Sequence, residues 1–193
     1  MDIEEAKKIV CDAGKQLLKE GLVARTWGNV SVKVDERRMV ITPSGRKYDE
    51  LTPGDMVLVD IYTLKYEGSI KPSSELKLHC ELYKTRPEVL SVIHTHQMYA
   101  SIIAAAQKDV IVLAEQHRSI LGGDIIQAAP YALPNTKKIT VETAKAVGVT
   151  NAALMANHGV VCCGKSLEEA FLVCRTLEDA CKKYLEHLKS TAA

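Results

Sequence analysis

The chain has 193 residues, with 25 Lys and Arg against 24 Asp and Glu and a formal net charge of +1. A balance so near neutral excludes a long-range field drawing the chain to nucleic acid or to an anionic membrane, so any substrate must be recognised locally. The length suits one core, no Pro/Gly/Ser-rich stretch divides it, and a single domain over residues 1–193 is expected.

The N-terminus, MDIEEAKKIV, is acidic and amphipathic rather than a basic-then-apolar leader. No apolar run approaches the ~18 residues of a membrane span, and the expected compartment is the cytoplasm. Cys11, Cys80, Cys162, Cys163, Cys174 and Cys181 sit in apolar periodic segments with no C-x-x-C spacing. They read as reduced core residues.

In chain order, the first predicted element is a helix. Ile3, Ala6, Ile9, Val10, Ala13, Leu17 and Leu18 recur at helical spacing, Asp2 is placed to cap them and Gly21 to stop them. From Asn29 the period shortens to that of strands: NVSVKV, a charged turn DERR, MVIT, then MVLVDI and YEGSI. KPSSELKLHCELYKT sets a proline and two serines ahead of good helix formers, so a second helix is expected from about Ser74, with Glu75 in its first turn. VLSVIHTH reads as a strand, QMYASIIAAAQ as a helix, VIVLAEQ as a strand and TVETAKAVG as a helix capped by Thr140. NAALMANHGVVCC reads as two strands joined at Asn157-His158-Gly159, and Ser166 with Glu169 forms a capping box for a long last helix. This order predicts an α/β fold, a three-layer sandwich around a mostly antiparallel central sheet.

Two side chains two apart on a strand face the same way, so His94 and His96 offer two imidazoles to one point. A third ligand could come from His79, His117 or His158. His158 is best placed, because a histidine followed by glycine at a strand-to-strand turn projects beside other strand ends. His187 reads as solvated. Three histidines with an open fourth position describe catalytic rather than structural zinc.

Three loop clusters point to an anion: TWGN (Thr26 to Asn29), TPSG (Thr42 to Gly45) and PSS (Pro72 to Ser74). Glycines admit a close approach, serines and Asn29 add donors, and a helix starting near Ser74 favours phosphate at its N-terminus. None matches G-x-x-x-x-G-K-[ST], so a nucleoside triphosphate is not implied. Glu75 would place a carboxylate between the anion and the metal.

GNVSV, ITPSG, PSSE, HTH and NHGVV, in that order and spacing, resemble the class II aldolase/adducin family, and within it the zinc-dependent L-fuculose-phosphate aldolase branch. The resemblance covers nearly the whole chain. It implies a class II aldolase-like fold, a homotetramer with sites at subunit interfaces, and zinc held by His94, His96 and His158, with Glu75 also reaching the metal. It further implies that Gly28, Asn29, Ser44, Gly45, Ser73 and Ser74 bind the substrate phosphate. The implied reaction is reversible cleavage of a short phosphorylated ketose to dihydroxyacetone phosphate and a small aldehyde. Zinc would be the electron sink, and Glu75 would be the acid/base at the enediolate carbon.

The sequence departs from that branch in three places. Where the branch carries a tyrosine after the strand following the H-x-H helix, this chain has Glu115, Gln116 and His117. A tail tyrosine beyond the last helix has no counterpart, and Trp27 is bulkier than the small residue expected in its loop. Glu115, His117 and Tyr131 are the positional candidates for the second proton donor. A decarboxylase or dehydratase acting on a sugar or sugar-acid phosphate is the alternative within the family. For a decarboxylase, Arg25, Arg46, Lys47 and Arg118 are the available cations. Epimerases of the family usually place aspartate where Glu75 stands.

Overall fold

The structure, a computed structural model, describes residues 1–24 and 26–191. Helix α1 (Ile3–Lys19) starts as its sequence dictates: the Asp2 carboxylate accepts hydrogen bonds from the Glu4 and Glu5 amides at 2.9 and 3.2 Å. Strands β1 (Asn29–Lys33), β2 (Arg38–Ile41) and β3 (Val57–Asp60) follow, then α2 (Leu76–Thr85), β4 (Ser91–Thr95) and α3 (Met98–Ala105). The second half runs β5 (Val110–Ile111), α4 (Glu115–Leu121), β6 (Ile125–Ile126), β7 (Ala128–Ala129), α5 (Lys137–Val147), β8 (Ala152–Met155), β9 (Gly159–Gly164) and α6 (Leu167–Thr191).

Seven strands form one sheet in the order β3-β2-β1-β4-β9-β8-β7, antiparallel except between β7 and β8. The fold class is the one expected. β1, β4 and β9 are buried along their whole length, because helices cover both faces. On one face Ile93 and Cys162 join a core with Val10 and Leu17 of α1 and Phe171 and Leu177 of α6. On the other, Val92 and Cys163 pack with Leu78 and Leu82 of α2 and Val147 of α5. By the alternation of strand side chains, His94 shares a face with Val92 and therefore with α2. β5 and β6 form a separate two-stranded ribbon.

Several local expectations are corrected. YEGSI is no strand: the Asp60 carboxylate receives the Tyr62 and Thr63 amides, turning the chain, and only Tyr66 bridges back to Val59. VIVLAEQ is a strand only at Val110–Ile111, and Glu115 opens α4 instead. Thr136, not Thr140, caps α5, since its extended backbone lets its hydroxyl receive the Ile139 amide, while Thr140 lies inside the helix. Glu75 is not in the first turn of α2 but is the residue just before it, at φ −92° and ψ 9°. β4 ends at Thr95, so His96 lies one residue beyond the strand. At α6 the Ser166 hydroxyl receives the Glu169 amide as expected, but the Glu169 carboxylate returns to the Lys165 amide.

Candidate metal and substrate site

A cleft of about 450 Å³ opens where β1, β4 and the β8–β9 turn meet the start of α2. Gly28, Asn29, Ser44, Gly45, Ser73, Ser74, Glu75, His94, His96 and His158 all line it, together with Thr26, Trp27, Pro43, Pro134, Asn135 and Asn157. A larger groove of about 930 Å³ beside β3 is lined by no histidine and none of these residues.

The three imidazoles converge. His94 Nε2 lies 2.9 Å from His96 Nε2, and one nitrogen from each of His94, His96 and His158 fits within 4.8 Å of the others. His94 Nδ1 donates to the Val160 carbonyl at 2.9 Å, which leaves Nε2 with its lone pair facing the cluster. Glu75 closes the group, with Oε2 3.4 Å from His94 Nε2 and Oε1 3.5 Å from His158 Nε2. Because the residue stands just before the helix and caps nothing, its carboxylate is free to turn toward the imidazoles. Gly159 makes that packing possible: a Cβ there would fall 2.5 Å from the Thr95 carbonyl and 3.1 Å from His94 Cε1.

Burial holds His94 and His96 neutral, with their pKa values lowered to about 3. It raises that of the Glu75 carboxyl, against the pull of His158. With His94 neutral, His94 and Glu75 do not form an ion pair. Glu75 Oε2 is buried without a hydrogen-bond partner. Neutral imidazoles with converging lone pairs and an unpartnered carboxylate oxygen are the donor set a divalent cation requires. His79 and His117 lie outside this set. His79 is fully buried and bonded to Ser31 and Asn29, and His117 faces Asp179 at 3.2 Å.

The three loops meet beside the imidazoles. TPSG and PSS pair with each other: Ser44 donates to the Lys71 carbonyl and Ser73 to the Thr42 carbonyl, each at 3.0 Å. Those two amides are consumed in joining the loops, and the Ser73 hydroxyl accepts from the Glu75 amide at 3.2 Å. Donors that face the cleft are the hydroxyls of Ser44, Ser73 and Ser74, the amides of Gly45 and Ser74, and the Asn29 side chain. No Lys or Arg lines the cleft among the described residues. An anion there would be held by dipoles and by the metal.

Gly28 sits at φ +93°, and a Cβ on it would meet Val23 Cγ1 at 2.5 Å and the His94 carbonyl at 2.8 Å. The Tyr48 hydroxyl, its pKa raised by burial to about 12 and so a standing donor, fixes the Gly28 carbonyl at 2.8 Å. Tyr48 was not legible as a site residue, since the contact spans 20 positions. Gly28→Ala is expected to cost about 2–4 kcal/mol from backbone strain and overpacking. An unfolding free energy from urea denaturation lowered by under ~0.5 kcal/mol would show that the loop tolerates a side chain.

Trp27 is 54 % exposed at the rim, its ring 6.1 Å from that of His96, and so does not pack beneath the loop. None of the positional candidates for a second proton donor lines the cleft: Glu115 and Tyr131 are exposed, and His117 is buried. Of the cations named for a decarboxylase, Arg25 lies outside the described residues. Arg46 pairs with Asp55, Lys47 with Glu50 and Arg118 with Asp124, all away from the cleft.

Comparison with known proteins finds relatives over nearly the whole chain. A family model described as the class II aldolase and adducin N-terminal domain matches residues 8–185. The L-fuculose phosphate aldolase of Escherichia coli K12 is 30 % identical over 193 residues, covering 99 % of this chain and 87 % of its own. A 5-deoxy-D-ribulose 1-phosphate aldolase of Bacillus thuringiensis is 29 % identical over 187 residues, covering 96 % of this chain and 87 % of its own. A solved L-fuculose 1-phosphate aldolase superimposes with a TM-score of 0.90 at 32 % identity, over 96 % of this chain and 87 % of that one.

Proposed function

Since the chain belongs to the class II aldolase and adducin family and is by class an aldolase, a carbon–carbon lyase, we propose that it reversibly cleaves a short phosphorylated ketose to dihydroxyacetone phosphate and a small aldehyde, with zinc as its metal. The observation that carries this reading is the single cleft in which hydroxyl- and glycine-rich loops, three imidazoles and Glu75 meet. His94, His96, His158 and Glu75 would hold the ion, which when bound supplies Lewis acidity at the substrate's carbonyl.

The chain's own residues account for the rest. Ser44, Gly45, Ser74 and Asn29 bind the phosphate, which orients the ketose with its carbonyl toward the imidazoles. As the C3–C4 bond breaks, the C4 hydroxyl passes its proton to solvent in the open cleft and becomes the aldehyde carbonyl, and the electron pair left at C3 takes a proton from the Glu75 carboxyl; in the condensation direction the carboxylate removes the C3 proton and the new C4 oxygen takes one from solvent. In the metal-free protein burial raises the pKa of the Glu75 carboxyl. No lysine lines the cleft among the described residues, so Schiff-base chemistry has no support there.

The same reading has the subunit act as a cytoplasmic homotetramer with sites at subunit interfaces. The exposed cross-strand pair Ile111 and Ile125 on the β5–β6 ribbon supports association. Among the described residues no helix is long and apolar enough to cross a membrane.

The test is consumption of dihydroxyacetone phosphate offered with lactaldehyde or glycolaldehyde, before and after chelation and after zinc is restored. Consumption that disappears on chelation and returns with zinc is expected. Inert metal-loaded protein would overturn the proposed reaction and favour decarboxylation or dehydration in the same cleft.

A further inference from the structure

Beneath the cleft runs a chain of buried polar side chains that touches no metal ligand's donor atom. Tyr83 Oη lies 2.7 Å from Ser31 Oγ, Ser31 Oγ lies 2.7 Å from His79 Nδ1, and His79 Nε2 lies 2.5 Å from Asn29 Oδ1. Ser31 and His79 are wholly buried, Tyr83 is 3 % exposed, and Asn29, 5 % exposed, is the one member that lines the cleft. We infer that Tyr83, Ser31 and His79 form a one-way hydrogen-bond relay that holds the Asn29 amide with its NH₂ group toward the cleft, as a donor for the substrate's phosphate. The inference rests on the proposal that this cleft binds phosphate.

Direction follows from counting protons. A neutral imidazole carries one N–H, and burial keeps His79 neutral, with its pKa lowered to about 3. In one arrangement Tyr83 donates to Ser31, Ser31 to His79 Nδ1, and His79 Nε2–H to Asn29 Oδ1, so every buried proton has an acceptor. Reversed, Asn29 would donate to His79, His79 to Ser31 and Ser31 to Tyr83, and the phenolic proton would be sealed in without an acceptor. Among the described residues the other group reaching the Tyr83 oxygen is the Val92 N–H, itself a donor. An unpaired buried hydroxyl is costly enough to select the first arrangement. That arrangement turns the Asn29 carbonyl oxygen away from an incoming anion and its two N–H groups toward it. In a cleft with no lining Lys or Arg, this orientation matters more than it would beside a cation. His79, Ser31 and Tyr83 are thus positioning residues.

The experiment uses metal-loaded wild type and three variants, with inorganic phosphate as a competitive probe and the phosphorylated ketose as substrate. His79→Leu removes the donor to the Asn29 carbonyl oxygen and frees the amide to turn; it is expected to raise KM and the phosphate inhibition constant about tenfold, roughly the weight of one hydrogen bond to a charged group, with kcat changed less than about threefold. Tyr83→Phe leaves Ser31 with His79 Nδ1 as its acceptor, so the relay keeps its direction and phosphate affinity should stay within about threefold of wild type. His79→Gln retains a side-chain N–H for Asn29 and should restore phosphate affinity to within about threefold of wild type, a rescue that mere core packing would not produce.

Long-range ¹H–¹⁵N correlation of the wild-type imidazoles supplies a readout independent of whether the variants fold. A proton on His79 Nε2 is expected, and a proton on Nδ1 would reverse the relay and overturn the inference. Wild type that binds phosphate while His79→Leu binds it equally well overturns the relay alone. Wild type that does not bind phosphate overturns the phosphate reading of the cleft, and the relay with it.

Discussion

Replacing Glu75 by glutamine is expected to lower kcat by about three orders of magnitude, within the range that a positioned general acid/base contributes. Glutamine fills nearly the same volume and keeps an oxygen near His94 and His158, which Glu75 reaches at 3.4 and 3.5 Å. What it cannot do is carry a transferable proton to C3. Because the native carboxylate is buried with one oxygen unpartnered, its neutral isostere should leave the metal-free protein at least as resistant to heat as wild type. The combined signature is lost turnover, a preserved fold and retained substrate binding. A variant whose kcat stays within tenfold of wild type would remove Glu75 from the chemistry and leave it only a place beside the metal.

The second large effect concerns the metal. His158→Ala should weaken zinc binding by about two to three orders of magnitude, on the view that one donor of four carries roughly a quarter of the ~10–16 kcal/mol typical of a zinc site. The histidine is held by the turn between β8 and β9, where its amide donates to the Met155 carbonyl at 2.9 Å, so removing the side chain leaves the turn's backbone intact. Metal content after dialysis against a weak chelator, measured beside the melting curve, separates ligand loss from unfolding. Full zinc occupancy in the variant would falsify the assignment. His117 would be an unsuitable replacement, being tied to Asp179 on α6.

What could be read from the sequence was whatever rests on short spacings. H-x-H announced two converging imidazoles, and their convergence does not depend on His96 being inside the strand, because the chain is still extended at Gln97, two residues past β4 and just before α3 begins. N-H-G at a hairpin-like junction announced His158, since Asn157 at φ 57° and Gly159 suit a tight reversal. Contacts joining distant segments were not legible. His79 reads as a helix-face residue until the fold lays α2 across β1 and closes its bonds to Asn29 and Ser31, 50 and 48 positions away. The same holds for the two-residue strands β6 and β7, too short to carry any periodicity. Thr140 was mistaken for a cap because the run TVETAKAVG conceals that the helix begins one turn earlier, behind Pro134 and Asn135.

The adjacent cysteines of β9 have a bearing on which ions the folded chain can capture. Cys162 and Cys163 point into opposite cores, and all six thiols are free and buried. Burial pushes the Cys80 and Cys163 thiols up to about 12 and holds Cys162 well above the usual thiol range. Burial thus disfavours the thiolate, the form that binds metal, at these three positions. A borderline ion such as zinc, or a softer one such as copper(I), that meets the folded protein finds sulfur screened off and nitrogen and oxygen on offer. The strand that runs beside His94 thus keeps its two sulfurs turned into the cores on either face of the sheet.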